Sequence, residues 1–322
     1  MVRNLLLGPD TLPLHAEISV AGVLCAVATN SKEIVAQFGR WPALTSESGP
    51  RLRISLFEQT EPDDIAEAMH FRGLQHFVFA TLGHGNRLLL DLRRREAVGV
   101  VCSNTARDNS FWQHTFLPIV IGTLGATIGL LALHCACLDL AGEGLLIAGG
   151  AGAGKSTLAT ALVDEGFSFL SDEWTYVLAQ DGELTVHTLG NPAKLLPDAV
   201  RFFPELRQQQ LHTAMNGELS YAVDIPLWRG IPPKHRSFPK WLFFLRRTSV
   251  AGCRFTPCEP DFGVSFFEQS MERLPEELQD ARAQRSAMIR RLCTTKSWIL
   301  ETGEAPRETA RALAGFWAGT RR

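Results

Sequence analysis

No charge of one sign dominates this chain. Its 32 lysines and arginines meet 34 aspartates and glutamates, a net of -2. That balance implies no broad basic face for nucleic acid or for an anionic membrane, although a local patch stays open. No C-x-x-C pair occurs among the seven cysteines. Cys135 and Cys137 stand too close together for a zinc knuckle. An odd cysteine count in a long chain reads as reduced thiols in a cytoplasmic protein. The opening MVRNLLLGPDTLPLH has too short an apolar core for a secretory signal. Internal repeats and low-complexity segments are also missing. What is present is an ordinary globular balance, 45% hydrophobic and 20% charged over 322 residues. There is ample material for a core, and length for two domains or one large one.

One apolar run, FLPIVIGTLGATIGLLALHCACLDL (residues 116–140), is long enough to cross a membrane. Gly122, Gly125 and Gly129 recur in it at helical spacing, which gives one small face suited to close packing. His134 lies near its end, and the run leads straight into the strand before a glycine-rich loop. A buried helix followed by a buried strand accounts for the same residues.

The composition changes near residue 110. Before it, HAEISVAGVLCAVAT and RLRISLFEQ read as strands. SKEIVAQFGRW reads as a short helix capped by Ser31. HFVFATLGHGNRLLLDLRRREAVGVVCS reads as two or three strands around a Gly83–Asn86 turn. No catalytic signature appears there, so residues 1–110 read as an α+β accessory domain that recognises a substrate. Residues 111–322 read as the catalytic domain. In it, LHCACLDL and LLIAGG form a hairpin about AGEG. The helix KSTLATALVDEGF follows, with Leu158, Ala161 and Leu162 as its buried stripe and Gly166 as its stop. FSFL is a short strand ending at Ser171. TYVLAQDGELTVHTL is a hairpin turning at Asp181–Gly182. GNPAKLLPDAVRFFPEL reads as loop then helix, and SFPKWLFFLRR as a strand. FFEQ with RLPEELQDARAQR reads as an amphipathic helix with a charged face. SWILETG and the helix PRETARALAGFWAG close the domain.

The chemistry is concentrated at LLIAGGAGAGKSTLATALVDEGFSFLSDEW. Gly149 to Ser156 fits G-x-x-x-x-G-K-[ST], between a strand and a helix as that motif requires. Gly149, Gly150, Ala151, Gly152, Ala153 and Gly154 would turn backbone N–H groups onto phosphate oxygens. The N-terminal end of the helix, with Thr157 in its first turn, adds a favourable dipole. Lys155 brings a cation to the β and γ phosphates, and Ser156 a hydroxyl for Mg²⁺. The implied ligands are ATP and Mg²⁺. Close behind comes the acidic pair Asp172 and Glu173, where helix and short strand return the chain beside the loop. One carboxylate there can hold Mg²⁺, and the other can take the proton of an attacking hydroxyl. A kinase needs both tasks; a simple NTPase needs mainly the first.

Taken together, His134, the hairpin, GGAGAGKST, the helix ending in EG, and FLSDE resemble HPr kinase/phosphorylase and its related serine kinases. Some of these relatives are encoded with peptide-modification pathways. The resemblance spans residues 130–177 well, residues 178–318 in outline, and does not reach 1–110. It implies an α/β mixed-sheet P-loop kinase domain, of the kind shared with phosphoenolpyruvate carboxykinase. It implies Asp172 as general base, His134 beside it, and Glu173 near the metal with Asp172 and Ser156. The loop closes on Ser156-Thr157 where HPr kinase has Ser-Glu, and the signature of phosphorylase activity is missing. The resemblance is therefore to the related kinases rather than to HPr kinase proper. It implies a serine of a protein or peptide as acceptor, and leaves room for a homo-oligomer. Nucleic acid and membrane are not expected as partners.

Other residues are open. Lys194 could contact phosphate or be solvated. Lys234, His235 and Arg236 could neutralise charge on a transferring phosphoryl group or form a surface loop. Two other functions fit the loop: a metabolite kinase of the shikimate or gluconate kinase type, and an NTPase switch with no acceptor.

Overall fold

The structure is a computed structural model. It describes residues 12–39, 51–59, 68–180, 182–213, 218–249 and 251–320. Residues 1–11, the Arg40–Trp41 end of the first helix reading and Asp181 fall outside these. The chain divides into two compact units, residues 1–130 with 273–285, and residues 131–272 with 286–322. The first unit thus runs past the composition change at 110 to Leu130.

In the first unit the described residues form a seven-stranded mixed sheet, ordered β1-β2-β3-β7-β6-β5-β4. Its strands are β1 (Leu14–Val20), β2 (Val23–Thr29), β3 (Arg51–Gln59), β4 (His70–Leu74), β5 (Phe77–Thr81), β6 (Arg87–Asp91) and β7 (Glu96–Cys102). β4 was not apparent in the sequence. Strand alternation decides the faces. Leu52, Ile54 and Leu56 of β3 are buried, while Arg53, Ser55 and Phe57 between them are not. Helix α1 (Lys32–Phe38) starts where Ser31 Oγ accepts the Ile34 N–H at 3.2 Å, the cap read from the sequence. Two short helices, α2 (Ser103–Ala106) and α3 (Asn109–Phe111), and a wide turn at 112–116 lead to α4 (Leu117–Gly125). There the buried Trp112 stacks edge-on against Phe38 and Phe111.

The long apolar run resolves as a helix and then strands. α4 ends in a tight turn stopped by Gly129 at φ +81°, and Leu131 begins a strand. No described helix is long and apolar enough to cross a membrane.

The second unit holds a nine-stranded mixed sheet, ordered β11-β9-β10-β17-β13-β12-β8, with β19 on β17 and β18 on β19. Its strands are β8 (Leu131–Leu133), β9 (Ala136–Leu140), β10 (Glu143–Ala148), β11 (Ser168–Ser171), β12 (Thr175–Gln180), β13 (Glu183–His187), β17 (Arg236–Arg247), β18 (Cys253–Pro257) and β19 (Lys296–Thr302). The segment LHCACLDL, read as one strand, is two: a bend at His134–Cys135 separates β8 from β9, which pair with different neighbours. The hairpin β9–β10 turns at Ala141 and Gly142, both at positive φ, as a two-residue hairpin requires.

Both faces of this sheet are covered. On β10, Leu145 and Ile147 join one core, which contains α5 (Lys155–Asp164) and α9 (Pro306–Thr320). Leu146 and Ala148 join the other, which contains α7 (Pro260–Ser270) and α8 (Gln279–Cys293). A strand buried on both faces needs a continuous apolar run, and GLLIA is one. Leu158, Ala161 and Leu162 of α5 are buried as predicted, and Gly166 stops the chain at φ +91°.

Two readings are corrected. GNPAKLLPDAVRFFPEL is not loop then helix. It forms β14 (Ala193–Leu195), which pairs with β16 (Leu219–Val223) and through it with β15 (Leu211–Thr213), then two 3₁₀ turns beginning at Pro197 and Pro204. Each proline lacks the N–H that a continuing helix would use. The charged amphipathic helix read across FFEQ and RLPEELQDARAQR is two helices, α7 and α8, interrupted around Pro275. The residue before a proline is disfavoured in helix. α6 (Ile225–Arg229) completes the unit.

Candidate active site at one end of the nine-stranded sheet

Strand direction assembles the site. β9 is antiparallel to both β10 and β11, so β10 and β11 run the same way. Their carboxyl ends and the start of β9 therefore share one end of the sheet. The glycine-rich loop follows β10, Asp172 and Glu173 follow β11, and His134 precedes β9. Helix α5 makes the crossover between β10 and β11. Three segments that are separate in sequence meet where open α/β sheets place ligands.

Two glycines of the loop answer local constraints. A Cβ on Gly149 would come within 2.8 Å of the Leu245 carbonyl, so only glycine fits beside β17. Gly154 caps α5 at φ +92°, a conformation costly to any other residue. Gly150, Ala151, Gly152 and Ala153 complete the turn, and Thr157 lies in the first turn of α5. Lys155 is buried, and its ammonium donates to the carbonyls of Gly149 at 3.0 Å and Gly150 at 3.3 Å. Desolvation lowers its pKa, while the negative charges of Asp172 and Glu173 oppose that shift.

Asp172 is only 4% exposed. The Lys194 backbone N–H donates to its Oδ2 at 2.9 Å. Burial pushes its pKa up to about 7. The Ser156 side chain and the Lys194 N–H hold it down somewhat, and the neighbouring Glu173 raises it further. Such a carboxyl is divided between its two protonation states near neutral pH, where a general base works best.

The bend carrying Asp172 and Glu173 is braced. Ser171 Oγ and Thr175 Oγ1 share a 2.6 Å hydrogen bond across it, and Thr175 Oγ1 donates to the Cys135 carbonyl at 2.8 Å. Thus the hydroxyl of Thr175 ties the acidic bend to the segment bearing His134. Sequence reading missed both braces, because Ser and Thr after a strand carry no signal of their own. Cys135 is fully buried, and burial pushes its thiol up to about 12, so it serves as packing. All seven cysteines are free thiols.

His134 is at this end of the sheet, exposed, with its ring 6.0 Å from that of Trp174. Among the described residues no hydrogen bond joins it to Asp172. Desolvation lowers its pKa first, then the Lys155 charge, which leaves the imidazole neutral at pH 7. Trp174 was not singled out by the sequence; nothing about a tryptophan after an acidic pair marks it. Lys194 lies on β14, part-exposed, and its Nζ pairs with Glu218 at 2.6 Å. Lys234 is drawn to the wrong end for phosphate. It pairs with the buried Asp139 at 2.5 Å, and Asp139 sits opposite Gly144 at the start of β10. The length of β10, roughly 13 Å or more at ~3.3 Å per residue, separates that pair from the loop. Ser237 also donates to Asp139. The charge-neutralising role considered for Lys234 is thereby excluded, and Arg236 lies over the Phe238 ring.

The donors fit a hard divalent cation. Ser156 and Glu173 both act electrostatically on Asp172. All three offer oxygen, which suits Mg²⁺. Among the described residues there is no cluster of three or more His, Cys, Asp or Glu that would hold a metal by itself. Mg²⁺ held here would also need phosphate oxygens, as is usual for nucleotide-bound magnesium.

No family model matches the chain, and no curated protein does. Among solved structures it is similar to the Hpr(Ser) kinase/phosphatase from Coxiella burnetii, at 12% identity and a TM-score of 0.31. That match covers 59% of this chain and 95% of the other. Likeness at this level carries no argument, so function rests on the geometry of the sheet end.

Proposed function

We propose that the chain is an ATP-dependent kinase that transfers the γ-phosphoryl group to a hydroxyl, a serine of a protein or peptide. The observation that carries this is the buried Asp172 carboxyl, at the same end of the sheet as the glycine-rich loop and its lysine. A carboxylate there reaches the end of the site where a terminal phosphate would be held. Its pKa of about 7 suits proton acceptance. The arrangement of loop, crossover helix and returning strand supports a kinase domain of the HPr kinase and phosphoenolpyruvate carboxykinase type.

In this reading the loop N–H groups and the α5 dipole hold the phosphates, and Lys155 moves from the loop carbonyls to the phosphate oxygens. Ser156, Glu173 and Asp172 are the residues that would hold Mg²⁺, which screens phosphate charge when bound. Asp172 takes the proton from the acceptor hydroxyl as its oxygen bonds to the γ-phosphorus. The bond from that phosphorus to the β–γ bridging oxygen breaks, and ADP leaves with the electron pair. Positioning and electrostatics supply most of the acceleration. His134, neutral and beside Trp174, would line the acceptor side. The first unit would recognise the acceptor.

A second reading takes the same buried Asp172 as a magnesium-side acid in an NTPase switch. Incubation with γ-labelled ATP and candidate peptides separates them. Label on a serine supports the kinase, label on a free metabolite alone supports a metabolite kinase, and inorganic phosphate with no labelled acceptor sinks both kinases and supports the switch.

A further inference from the structure

Tyr176 lies on β12, three residues beyond Glu173, and is fully buried. Its hydroxyl has no hydrogen-bond partner. Buried tyrosine hydroxyls ordinarily find one, because an unpaired buried donor costs about 1–3 kcal/mol. Its cross-strand neighbours do not supply it: Ala132 has no side-chain acceptor, and His187 bonds Thr185 at 3.1 Å. The charge acting on the phenol is that of Glu173. The same carboxylate acts on His134, Lys155 and Asp172. Yet among the described residues no hydrogen bond or ion pair fixes the half-buried Glu173. Three residues span at most about 10 Å of backbone, which two long side chains can bridge. An orphaned donor and an unanchored acceptor thus stand on the same short segment, beside the phosphate loop.

We infer that Tyr176 is a positioning residue for Glu173, its hydroxyl taking up that carboxylate when a nucleotide and a divalent cation load the site. The inference rests on the proposed assignment of Glu173 to the metal side. Tyr176 would touch neither phosphate nor acceptor; it would hold the carboxylate on the metal side. Groups of this kind around a metal site typically change its affinity by about 10–100-fold.

The test uses the full chain labelled with 3-fluorotyrosine. The sequence has two tyrosines, so two fluorine resonances appear, and Tyr221→Phe assigns them. Adding Mg²⁺ with a non-hydrolysable ATP analogue should shift the Tyr176 resonance. The analogue with a chelator should not, and Glu173→Ala should abolish the shift. In a nucleotide-binding titration, Tyr176→Phe should raise the Mg²⁺ needed for half-maximal binding by about tenfold. At saturating Mg²⁺ its nucleotide affinity should stay near wild type. A Tyr176 resonance that ignores Mg²⁺ and nucleotide overturns the inference, and so does unchanged Mg²⁺ dependence in a folded Tyr176→Phe. The wild-type resonance decides the matter if that variant does not fold. A chain that shows the shift but labels no acceptor keeps this inference and loses the kinase.

Discussion

The seven-stranded sheet and the nine-stranded sheet solve the same problem in different ways. The first buries one face and leaves the other with Leu74, Phe79 and Val98 exposed. Its strands alternate accordingly. The second is buried on both faces, and its central strand is a continuous apolar run. Covering both faces excludes water from everything but the strand ends, and the charged cluster of Lys155, Asp172 and Glu173 is found at one such end. A buried carboxyl with a raised pKa requires that surrounding. The open sheet shows no comparable cluster among the described residues.

The contrast can be broken most severely at the loop. Lys155→Ala should lower phosphoryl transfer by at least about 10³-fold, read with labelled ATP, and weaken nucleotide binding as well. Asp172→Asn should lower transfer by about 10²–10⁴-fold, the range for a general base. Nucleotide affinity should hold, since an amide oxygen can still accept from the Lys194 N–H. Full transfer by Asp172→Asn would remove the base.

Asp172 also links activity and stability to pH in opposite senses. For a base with a pKa of about 7, kcat/KM should rise about tenfold between pH 6 and pH 8. For stability, the folded state binds this proton more tightly than the unfolded chain does. Its contribution is therefore full below the ordinary carboxylate range and is lost as pH rises through about 7. Asp172→Asn should thus raise Tm relative to wild type at pH 8 more than at pH 5, measured by thermal melting. Equal differences at both pH values would mean that Asp172 is not a buried carboxyl.

Smaller effects sharpen the contrast. Thr175→Val removes both braces of the acidic bend and leaves the Cys135 carbonyl unpaired. It should cost about 1–3 kcal/mol by denaturant unfolding and reduce transfer without abolishing nucleotide binding. Phe79→Ser, on the open face of the seven-stranded sheet, should change stability by no more than about 0.5 kcal/mol. It should leave nucleotide affinity untouched. A large loss there would show that this face is packed rather than open.

The elements legible in the sequence were those whose signal is local. The phosphate loop has its glycines where backbone strain or close approach demands them, at Gly154 and Gly149. The cap at Ser31, the stop at Gly166 and the apolar stripe of α5 follow from single-helix physics. Patterns interrupted by proline, at Pro197, Pro204 and Pro275, were read too smoothly into helix. β8 and β9 were merged because a bend between two buried strands leaves the apolar run unbroken.

The amino-acid order alone thus made the glycine turn, the cation and the helix start contiguous at residues 149–157. It also placed an acid within one crossover of that loop. Only the tertiary structure decided which end of the sheet each candidate reached. It set Lys234 apart on Asp139, turned Lys194 into a backbone donor to Asp172, and brought the Trp174 ring to 6.0 Å from that of His134. The reason is that burial and strand direction depend on the whole sheet: a carboxyl's pKa rises to about 7 only when distant segments close around it.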